Sequence, residues 1–234
     1  MTQSLMTSLP QSYRALVIGA SGGIGRAVAE VIGADPACGE VIGLSRSATG
    51  LDVTQEDSVA EAAASLSGEF QLIFCATGGL TIDGVGPEKS LRQISAEAMM
   101  KQFALNAVGT ALVAKYFAPM LSKRERALMG VLSARVASIG DNHLGGWISY
   151  RASKAALNQI LRTASIELAR THPGAVIVPL HPGTVATSLS EKYSGNHARS
   201  EPVDSARSML TVLNGLTPTD TGGFFAYDGS SIEW

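Results

Sequence analysis

The stretch RALVIGASGGIGRAVAEVI, residues 14–32, decides the fold of this chain. It begins with a short apolar run, which predicts a β-strand that stops at Gly19. From Ile24 onward, apolar residues recur with the i, i+3, i+4, i+7 and i+8 spacing of an amphipathic helix. Gly19, Gly23 and Gly25 stand at the junction, where glycine permits a tight turn and a close approach of the backbone to a ligand. Since free N–H groups at a helix start favour phosphates, the stretch predicts a pyrophosphate site, although its G-x-x-x-G-x-G spacing differs from the G-x-G-x-x-G fingerprint.

The rest of the chain continues this alternation of strands and helices. Further strands are predicted over residues 40–44, 51–53, 70–76, 127–133, 175–180 and 224–227, and the longest helices over 96–121 and 150–170. The strands are continuous apolar runs, which indicates a mostly parallel sheet covered on both faces. We therefore expect one doubly wound, Rossmann-type α/β domain over residues 13–234, with about seven strands and ligands beyond their carboxyl ends. Residues 1–12 are expected to form a loose extension.

Composition and charge exclude several classes of function. The 234 residues carry a formal net charge of -2, which predicts no nucleic-acid partner and no membrane-surface partner. The two cysteines, Cys38 and Cys75, suggest neither a metal site nor a disulfide framework. The first fourteen residues lack the pattern of a signal peptide, and no apolar run is long enough to span a membrane. The expected location is the cytoplasm.

The residues at the end of the second predicted strand bear on the choice of cofactor. In NAD-binding folds, an acid about 20 residues beyond the glycine-rich turn often binds the ribose 2′-hydroxyl. Here that position is Ser45, and Arg46 follows it. A guanidinium would bind a 2′-phosphate that a carboxylate would repel. The sequence therefore favours NADP(H) and keeps NAD(H) as the second cofactor; the alternative is that Arg46 is an ordinary exposed loop arginine.

A second stretch, YRASKAALN at residues 150–158, places a phenol and an ammonium one helical turn apart. Residues i and i+4 share a helix face, so Lys154 can lie beside Tyr150. Lowering the pKa of a tyrosine from near 10 to about 7 requires roughly 4 kcal/mol. A unit charge at about 4 Å in an effective dielectric near 20 supplies around 4 kcal/mol. We interpret the pair as a group poised for proton transfer, the alternative being an ordinary surface pair.

In this order, the glycine-rich turn, a serine after a middle strand and the Tyr-x-x-x-Lys pair resemble the short-chain dehydrogenase/reductase family. The resemblance covers residues 14–234 and includes GASGGIG, LDVT, CATGG, LNAVG, VLSARV, YRASKAALN and HPGTVATSL. The tail GGFFAYDGSSIEW is similar to that of the C-factor-like and sniffer-like carbonyl reductase branch. This resemblance implies an NADP(H)-dependent oxidoreductase acting on a small-molecule carbonyl or alcohol. It also implies a homodimer or homotetramer that pairs the two long helices.

The resemblance further assigns roles to individual residues. Tyr150 would be the general acid in carbonyl reduction, and Lys154 would lower its pKa and hold the nicotinamide ribose. Ser133 would bind the substrate oxygen, and Asn106 would position a water in a proton relay. The expected cofactor contacts are Gly19, Ser21, Gly23, Ile24, Gly25, Ser45, Arg46, Asp52, Val53, Ala76, Gly78, Tyr150, Lys154, Pro182, Gly183, Val185 and Thr187.

Departures from the family pattern leave two questions open. Family members commonly have a serine where this chain has Ala134, so either Ser133 or Ser138 would have to serve as the catalytic serine. A non-catalytic nucleotide-binding regulator or signalling protein on the same fold is the alternative function. The polar segment 188–201 is expected to form a lid, with His143, Trp147 and Tyr193 as candidate pocket residues.

Overall fold

In the computed structural model, which describes residues 3–187 and 199–234, the chain is built around a parallel β-sheet. Its strands are β1 (Tyr13–Ile18), β2 (Cys38–Leu44), β3 (Leu72–Cys75), β4 (Ala127–Leu132), β5 (Ala175–His181) and β6 (Phe225–Ala226). They lie in the order β2-β1-β3-β4-β5-β6, and every neighbouring pair is parallel. The predicted doubly wound α/β fold is confirmed, with six strands in the described residues in place of about seven.

Helices cover both faces of this sheet. They are α1 (Gly23–Gly33), α2 (Arg46–Thr49), α3 (Glu56–Ala64), α4 (Ala96–Phe103), α5 (Gly109–Phe117), α6 (Ile148–Leu168) and α7 (Pro202–Gly215). Helices α1 and α7 contribute to the apolar core on one face, and α3, α5 and α6 contribute to the core on the other. None of the helices in the described residues combines the length and the apolar character needed to cross a bilayer.

The strand side chains alternate between these two cores. In β1, Ala15 and Val17 belong to the core beneath α1 and α7, whereas Leu16 and Ile18 belong to the opposite core. Because both faces are buried, the strands read as continuous apolar runs rather than as an apolar–polar alternation. The carboxyl ends of the parallel strands meet along one edge, which is where ligands bind in such sheets.

The short strand predicted over residues 51–53 is absent from the structure, and this prediction was wrong. Leu51 and Val53 are nevertheless buried in an apolar core, which explains their strand-like pattern. Between them, Asp52 Oδ1 accepts hydrogen bonds from the backbone N–H of Thr54 at 2.9 Å and from its hydroxyl at 2.7 Å. These local bonds favour a turn over a strand.

The helix predicted over residues 96–121 is interrupted by one turn of π-helix, Ala104–Val108, between α4 and α5. Such wide turns are rare and occur frequently at functional sites. Here the π turn contains Asn106, whose side chain is buried. The hydroxyl of Thr110 donates to the carbonyl oxygen of Asn106 at 2.9 Å and satisfies it within the widened turn.

The expectation of a loose N-terminal extension was wrong for residues 3–12. The side chain of Met6 is fully buried, and the carboxylate of Asp35 holds the segment in place. Asp35 Oδ2 accepts the backbone N–H groups of Leu5 at 3.1 Å and Met6 at 2.9 Å, and Oδ1 accepts that of Ala37 at 3.0 Å. A single buried acid therefore supplies the partners that the backbone of an irregular segment would otherwise lack.

Replacing Asp35 with alanine should lower the free energy of unfolding at pH 7 by about 2–4 kcal/mol, because buried N–H donors would lose their acceptor. Burial raises the pKa of Asp35, but hydrogen bonds from the backbone of Ala37 and Met6 outweigh burial and leave the pKa below its usual value. A carboxyl of this kind adds stability above its unfolded-state pKa and loses that contribution as the pH falls through its folded-state pKa. The difference between Asp35→Ala and the natural chain should therefore shrink below about pH 4.

Urea denaturation at pH 7 and at lower pH measures this difference. The matched control is Asp57→Ala, because Asp57 is an exposed aspartate in the first turn of α3. It should cost less than about 1 kcal/mol. Equal losses for Asp35→Ala and Asp57→Ala would contradict the role given to Asp35.

Candidate active site

A continuous crevice follows the edge of the sheet where the parallel strands end. It consists of two cavities, each of about 300 Å³, which we call the Tyr150 cavity and the Arg46 cavity. Gly22, Ala76 and Thr77, together with Gly78, line both cavities and so join them. Each cavity lies at the lower end of the range for small-molecule sites, and together they form an elongated site.

The crevice brings together most of the residues predicted from the sequence. The Tyr150 cavity is lined by Gly22, Gly23, Ile24, Gly25, Ala76, Thr77, Gly78, Gly79, Leu132, Ser133, Tyr150, Lys154, Pro182 and Thr187. The Arg46 cavity is lined by Gly19, Ser21, Gly22, Ser45, Arg46, Leu51, Asp52, Val53, Ala76, Thr77, Gly78 and Leu105. Of the predicted site residues, Asn106, Gly183 and Val185 line neither cavity.

Sequence reasoning missed several lining residues. They are Gly22, Leu51, Thr77, Gly79, Leu105 and Leu132. All six lie inside or beside the motifs on which the sequence prediction rested, namely the glycine-rich turn, LDVT, CATGG, LNAVG and VLSARV. These six residues would have been included if each motif had been treated as a continuous segment that lines the site, rather than as a few selected positions.

Three glycines of the glycine-rich turn stand where an added side chain would meet neighbouring atoms. Gly19 has a φ of +86°, a conformation that favours glycine. A Cβ atom on Gly25 would lie 2.1 Å from the carbonyl oxygen of Gly19, and one on Gly23 would lie 2.9 Å from Cγ2 of Thr187. The N-cap residue of α1, Gly22, makes no side-chain capping hydrogen bond. The start of α1 therefore presents backbone N–H groups to the crevice, an arrangement that fits a pyrophosphate.

The Arg46 cavity combines one cation with one carboxylate. Among the described residues that line it, Arg46 is the single cationic side chain, and it is exposed. Ser45 is buried, and its hydroxyl oxygen accepts the backbone N–H of Ala48 at 3.2 Å, which caps α2. The hydroxyl and the backbone N–H of Thr54 lower the pKa of Asp52, and Arg46 lowers it further. The carboxylate of Asp52 is therefore ionised at neutral pH.

Helix α6 carries Tyr150 and Lys154 into the other cavity on the same face. Lys154 Nζ donates to the carbonyl oxygen of Leu132, at the end of β4, at 2.9 Å. Burial lowers the pKa of Lys154 to about 8, and burial raises the pKa of Tyr150 above its usual value. Burial alone accounts for the direction of the shift at Tyr150, and the prediction that Lys154 lowers the pKa of Tyr150 stays a prediction. The ammonium is directed at a strand carbonyl, and loss of hydration dominates both groups.

Asn106 lies behind the crevice wall, beside the ammonium of Lys154. Its Oδ1 accepts the backbone N–H of Gly79 at 3.0 Å, and its Nδ2 donates to Gln102 Oε1 at 2.7 Å. A Cβ atom on Gly78 would lie 3.0 Å from both Asn106 Oδ1 and Lys154 Nζ, so the two polar groups flank the same glycine. A proton relay through Asn106 stays a prediction.

The structure distinguishes the two candidate serines by position. Ser133 directly follows β4 and lines the same cavity as Tyr150. Ser138 lines neither cavity, and its hydroxyl oxygen accepts the backbone N–H of Asp141 at 3.0 Å. The backbone at Ala134 is extended, with φ of -150° and ψ of 142°. Ser133 is therefore the candidate that the fold places beside Tyr150.

Sequence reasoning missed the residue that holds the start of α6. The N-cap residue of this helix is Trp147, which has a φ of +54° and makes no side-chain capping hydrogen bond. Glu88 provides the cap from a distant loop: its Oε2 accepts the backbone N–H of Ser149 at 3.2 Å, and its Oε1 accepts the Ser149 hydroxyl. The ring of Trp147 packs edge-on against that of Tyr150 at 6.3 Å between centroids. No sequence spacing signals a contact between residues 61 positions apart.

In the segment after β5, two of the predicted site residues do not line the Tyr150 cavity. Gly183 has a φ of +78°, and a Cβ atom there would lie 2.9 Å from the ring of Tyr227. Val185 is buried and forms a bridge with Ser200. These two residues shape the chain beside the Tyr150 cavity without lining it.

The structure describes one of two further candidate pocket residues, His143, and only the end of the predicted lid. His143 lines neither cavity. Tyr193 and residues 188–198 of the predicted lid, 188–201, lie outside the described residues. The predictions for the lid and for Tyr193 therefore stay predictions.

Comparison with known protein sequences shows which proteins this chain resembles. A family model described as enoyl-(acyl carrier protein) reductase matches residues 36–227, a span that contains Tyr150 and Lys154 but begins after the glycine-rich turn. The chain is 32% identical over 188 residues to a 1-hydroxy-2-glutathionyl-2-methyl-3-butene dehydrogenase of Rhodococcus sp. (strain AD45), covering 79% of each protein. It is 37% identical over 136 residues to C-signal of Myxococcus xanthus, covering 58% of this chain and 78% of that protein.

Solved structures show the same fold. An NADPH-bound carbonyl reductase from chicken fatty liver aligns with a TM-score of 0.84 at 24% identity, covering 100% of this chain and 99% of that one. A protein from Burkholderia multivorans with bound NADP aligns with a TM-score of 0.74 at 26% identity, covering 97% and 100%. The carbonyl reductase Sniffer of D. melanogaster aligns with a TM-score of 0.80 at 19% identity, covering 96% and 100%.

Burial of Lys154 should cost stability, which a substitution can recover. Its pKa lies at about 8 instead of 10.5, so the charged form is disfavoured in the folded protein by on the order of 3 kcal/mol. This penalty is full below the folded-state pKa and disappears as the pH rises from about 8 toward 10.5, the unfolded-state value. We therefore expect Lys154→Met to raise the free energy of unfolding by roughly 1–3 kcal/mol at pH 7, since the lost bond to Leu132 offsets part of the gain.

Chemical denaturation at pH 7 and pH 10 measures the effect. The advantage of Lys154→Met should be clear at pH 7 and small at pH 10. The matched control is Lys123→Met, because Lys123 is exposed at the surface and lines neither cavity. A difference between Lys154→Met and the natural chain that does not change with pH would show that burial of the charge is not its cause.

Proposed function

The chain belongs to the short-chain dehydrogenase/reductase family of NAD(P)-dependent oxidoreductases, and on that premise we propose that it uses NADP(H) to reduce a carbonyl group to an alcohol. One observation carries the proposal. Ser133, Tyr150 and Lys154 line one end of a continuous crevice, and Arg46 lines the other end. A substrate carbonyl and an extended nucleotide can therefore share the site.

Tyr150 is the proton donor in this proposal. Its phenol is buried, and burial raises its pKa, so it keeps its proton at neutral pH and can give it to a carbonyl oxygen that gains negative charge. The hydroxyl of Ser133 donates a hydrogen bond to the same oxygen and stabilises that charge. When bound, NADPH supplies the hydride.

Lys154 and Asn106 support the proton donor. The ammonium of Lys154, fixed on the carbonyl of Leu132, would hold the ribose hydroxyls of the cofactor. Asn106 lies on the other side of Gly78, where it can position a water that returns protons to Lys154. Both roles depend on an arrangement in which the polar groups are already oriented before the ligand binds.

Two structural features support NADP(H) as the cofactor. The start of α1, where Gly22, Gly23 and Gly25 carry no side chains, fits the pyrophosphate, and Arg46 supplies a positive charge for a 2′-phosphate. Asp52 and Val53, which also line the Arg46 cavity, would flank the adenine. The neighbours solved with NADPH and NADP have the same fold, which is consistent with this choice. NAD(H) stays the second cofactor.

The proposal extends to assembly and location. We propose a homodimer or homotetramer that pairs α5 and α6 between subunits, because a groove between these helices combines the alanines Ala111, Ala114 and Ala164 with larger apolar and charged side chains. Sedimentation equilibrium measures the oligomeric state. Cys38 and Cys75 are unpaired, which is consistent with a reducing cytoplasm.

The second candidate function is a nucleotide-binding regulator or signalling protein that does not turn over substrate. The similarity to C-signal favours it, and so does Ala134, which stands where family members commonly have a serine. The two candidates differ in one measurable respect: only the oxidoreductase should lose a catalytic rate when Tyr150 is changed.

Tyr150→Phe should lower the rate of NADPH-dependent reduction of reactive aldehydes and diketones by about 10²–10⁴-fold, because it removes the proton donor. Binding of NADPH, followed by its fluorescence, should persist. The matched control is Tyr116→Phe, since the hydroxyl of Tyr116 donates to Glu56 at the surface and lies outside the crevice. Equal rates for the natural chain and Tyr150→Phe would favour the binding-only candidate.

Arg46→Asp should weaken NADPH binding by about 10–100-fold and leave NADH binding nearly unchanged, because the carboxylate would repel the 2′-phosphate. Isothermal titration calorimetry with both cofactors measures the ratio. Arg92→Asp is the control with the same charge change, because Arg92 is exposed and lines neither cavity. If Arg46→Asp weakened both cofactors equally, the assignment of NADP(H) would be wrong.

A further inference from the structure

The hydroxyl of Ser133 is engaged within the protein. Ser133 is 4% exposed, and its Oγ donates to Oδ1 of Asn158 at 2.7 Å. A serine hydroxyl has a single proton. While that proton is directed at Asn158, Ser133 cannot donate to a substrate oxygen in the Tyr150 cavity. Ala134, the next residue, offers no hydroxyl to replace it.

Only one of the two polar groups of the Asn158 amide has a hydrogen-bond partner in this orientation. Asn158 is 2% exposed, and its Nδ2 has no hydrogen-bond partner among the described residues. A buried donor without an acceptor is unfavourable. Rotation of the amide by half a turn exchanges Nδ2 and Oδ1, since the two groups have nearly the same shape. Nδ2 then donates to Ser133 Oγ, Oδ1 takes the unpartnered position that Nδ2 held, and the serine proton can turn toward the cavity.

The position of Asn158 suits such a role. It lies one helical turn beyond Lys154 and two turns beyond Tyr150 on α6, so the three side chains project from one face of the helix. All three are buried residues of that helix. The sequence contained this signal, because Asn158 closes the YRASKAALN stretch, but the partner serine is 25 residues away.

We propose that Asn158 is a positioning residue that directs the proton of Ser133 into the Tyr150 cavity. By donating Nδ2 to Ser133 Oγ, it makes Ser133 a hydrogen-bond donor to the substrate oxygen, in a chain that has alanine at the following position. This inference rests on the proposed function, in which Ser133 binds that oxygen. The competing role is a purely structural tie between α6 and the end of β4.

Two substitutions separate these roles. In Asn158→Asp the side chain keeps its shape, but an ionised carboxylate can only accept, so it retains the proton of Ser133. In Asn158→Leu the side chain keeps a similar volume and neither holds nor directs that proton. We therefore expect Asn158→Asp to lower kcat about as much as Ser133→Ala, roughly 10²-fold, and Asn158→Leu to lower it less. The KM for NADPH should change little in either variant.

A double-mutant cycle completes the test. In the Ser133→Ala background, Asn158→Asp should lower kcat by less than about threefold, because no serine proton is left to direct. Large and equal losses from both Asn158 substitutions, in the natural and the Ser133→Ala backgrounds, would show a structural tie and overturn the proposal. An unchanged kcat in Asn158→Asp, with a lowered kcat in Ser133→Ala, would also overturn it.

Failure of the proposed function is recognised separately. If Ser133→Ala keeps full kcat, Ser133 is not the donor and this inference fails, whereas Tyr150→Phe still reports whether the protein is an oxidoreductase. Should Asn158→Asp not fold, neutron diffraction from crystals of the natural protein grown with NADPH in heavy water tests the same point. A deuteron on Nδ2 directed at Ser133 Oγ supports the proposal, and a deuteron on Oγ directed at Asn158 overturns it.

Discussion

The attachment of helix α6 to the end of strand β4 is the constraint on which the site depends. Two buried polar contacts make this attachment: the ammonium of Lys154 bonds the carbonyl oxygen of Leu132, and the hydroxyl of Ser133 bonds the amide of Asn158. Around them, the interface is apolar, so these groups must find partners in each other rather than in water. These contacts fix the position of α6 relative to the end of β4. Tyr150, in the first turn of the helix, therefore reaches the crevice. The same contacts that fix the helix thus prepare a proton donor and its neighbours for a ligand.

Burial gives the site its reactivity and also its instability. Loss of water raises the pKa of Tyr150 and lowers that of Lys154, so burial penalises the charged form of each group, and Lys154 still carries its charge at pH 7. The lowered pKa of Lys154 means that keeping its ammonium beside the crevice lowers the free energy of unfolding. Active sites commonly show this exchange of stability for function.

Distant segments of the chain converge on the first turn of α6. Glu88 caps this helix from the loop after β3, and Asn106, in the π turn before α5, lies beside Lys154. The glycine-rich turn forms the opposite wall, where a Cβ on Gly25 would collide with the carbonyl of Gly19. The two walls therefore contribute different features: the glycines of the turn bring the backbone close to the crevice, and α6 supplies the reactive side chains.

The sequence by itself determined the fold class and most of the crevice, because these depend on local patterns. Apolar runs defined the parallel strands, and the glycine-rich turn with the Tyr150–Lys154 spacing marked residues that do line one crevice. The sequence could not determine that residues 51–53 form a turn, that the N-terminal segment is held by Asp35, or that Ser133 rather than Ser138 borders the cavity. Nor could it determine the pKa shifts of Tyr150 and Lys154. These properties depend on which groups burial brings together and which lose water, and only the tertiary structure decides that.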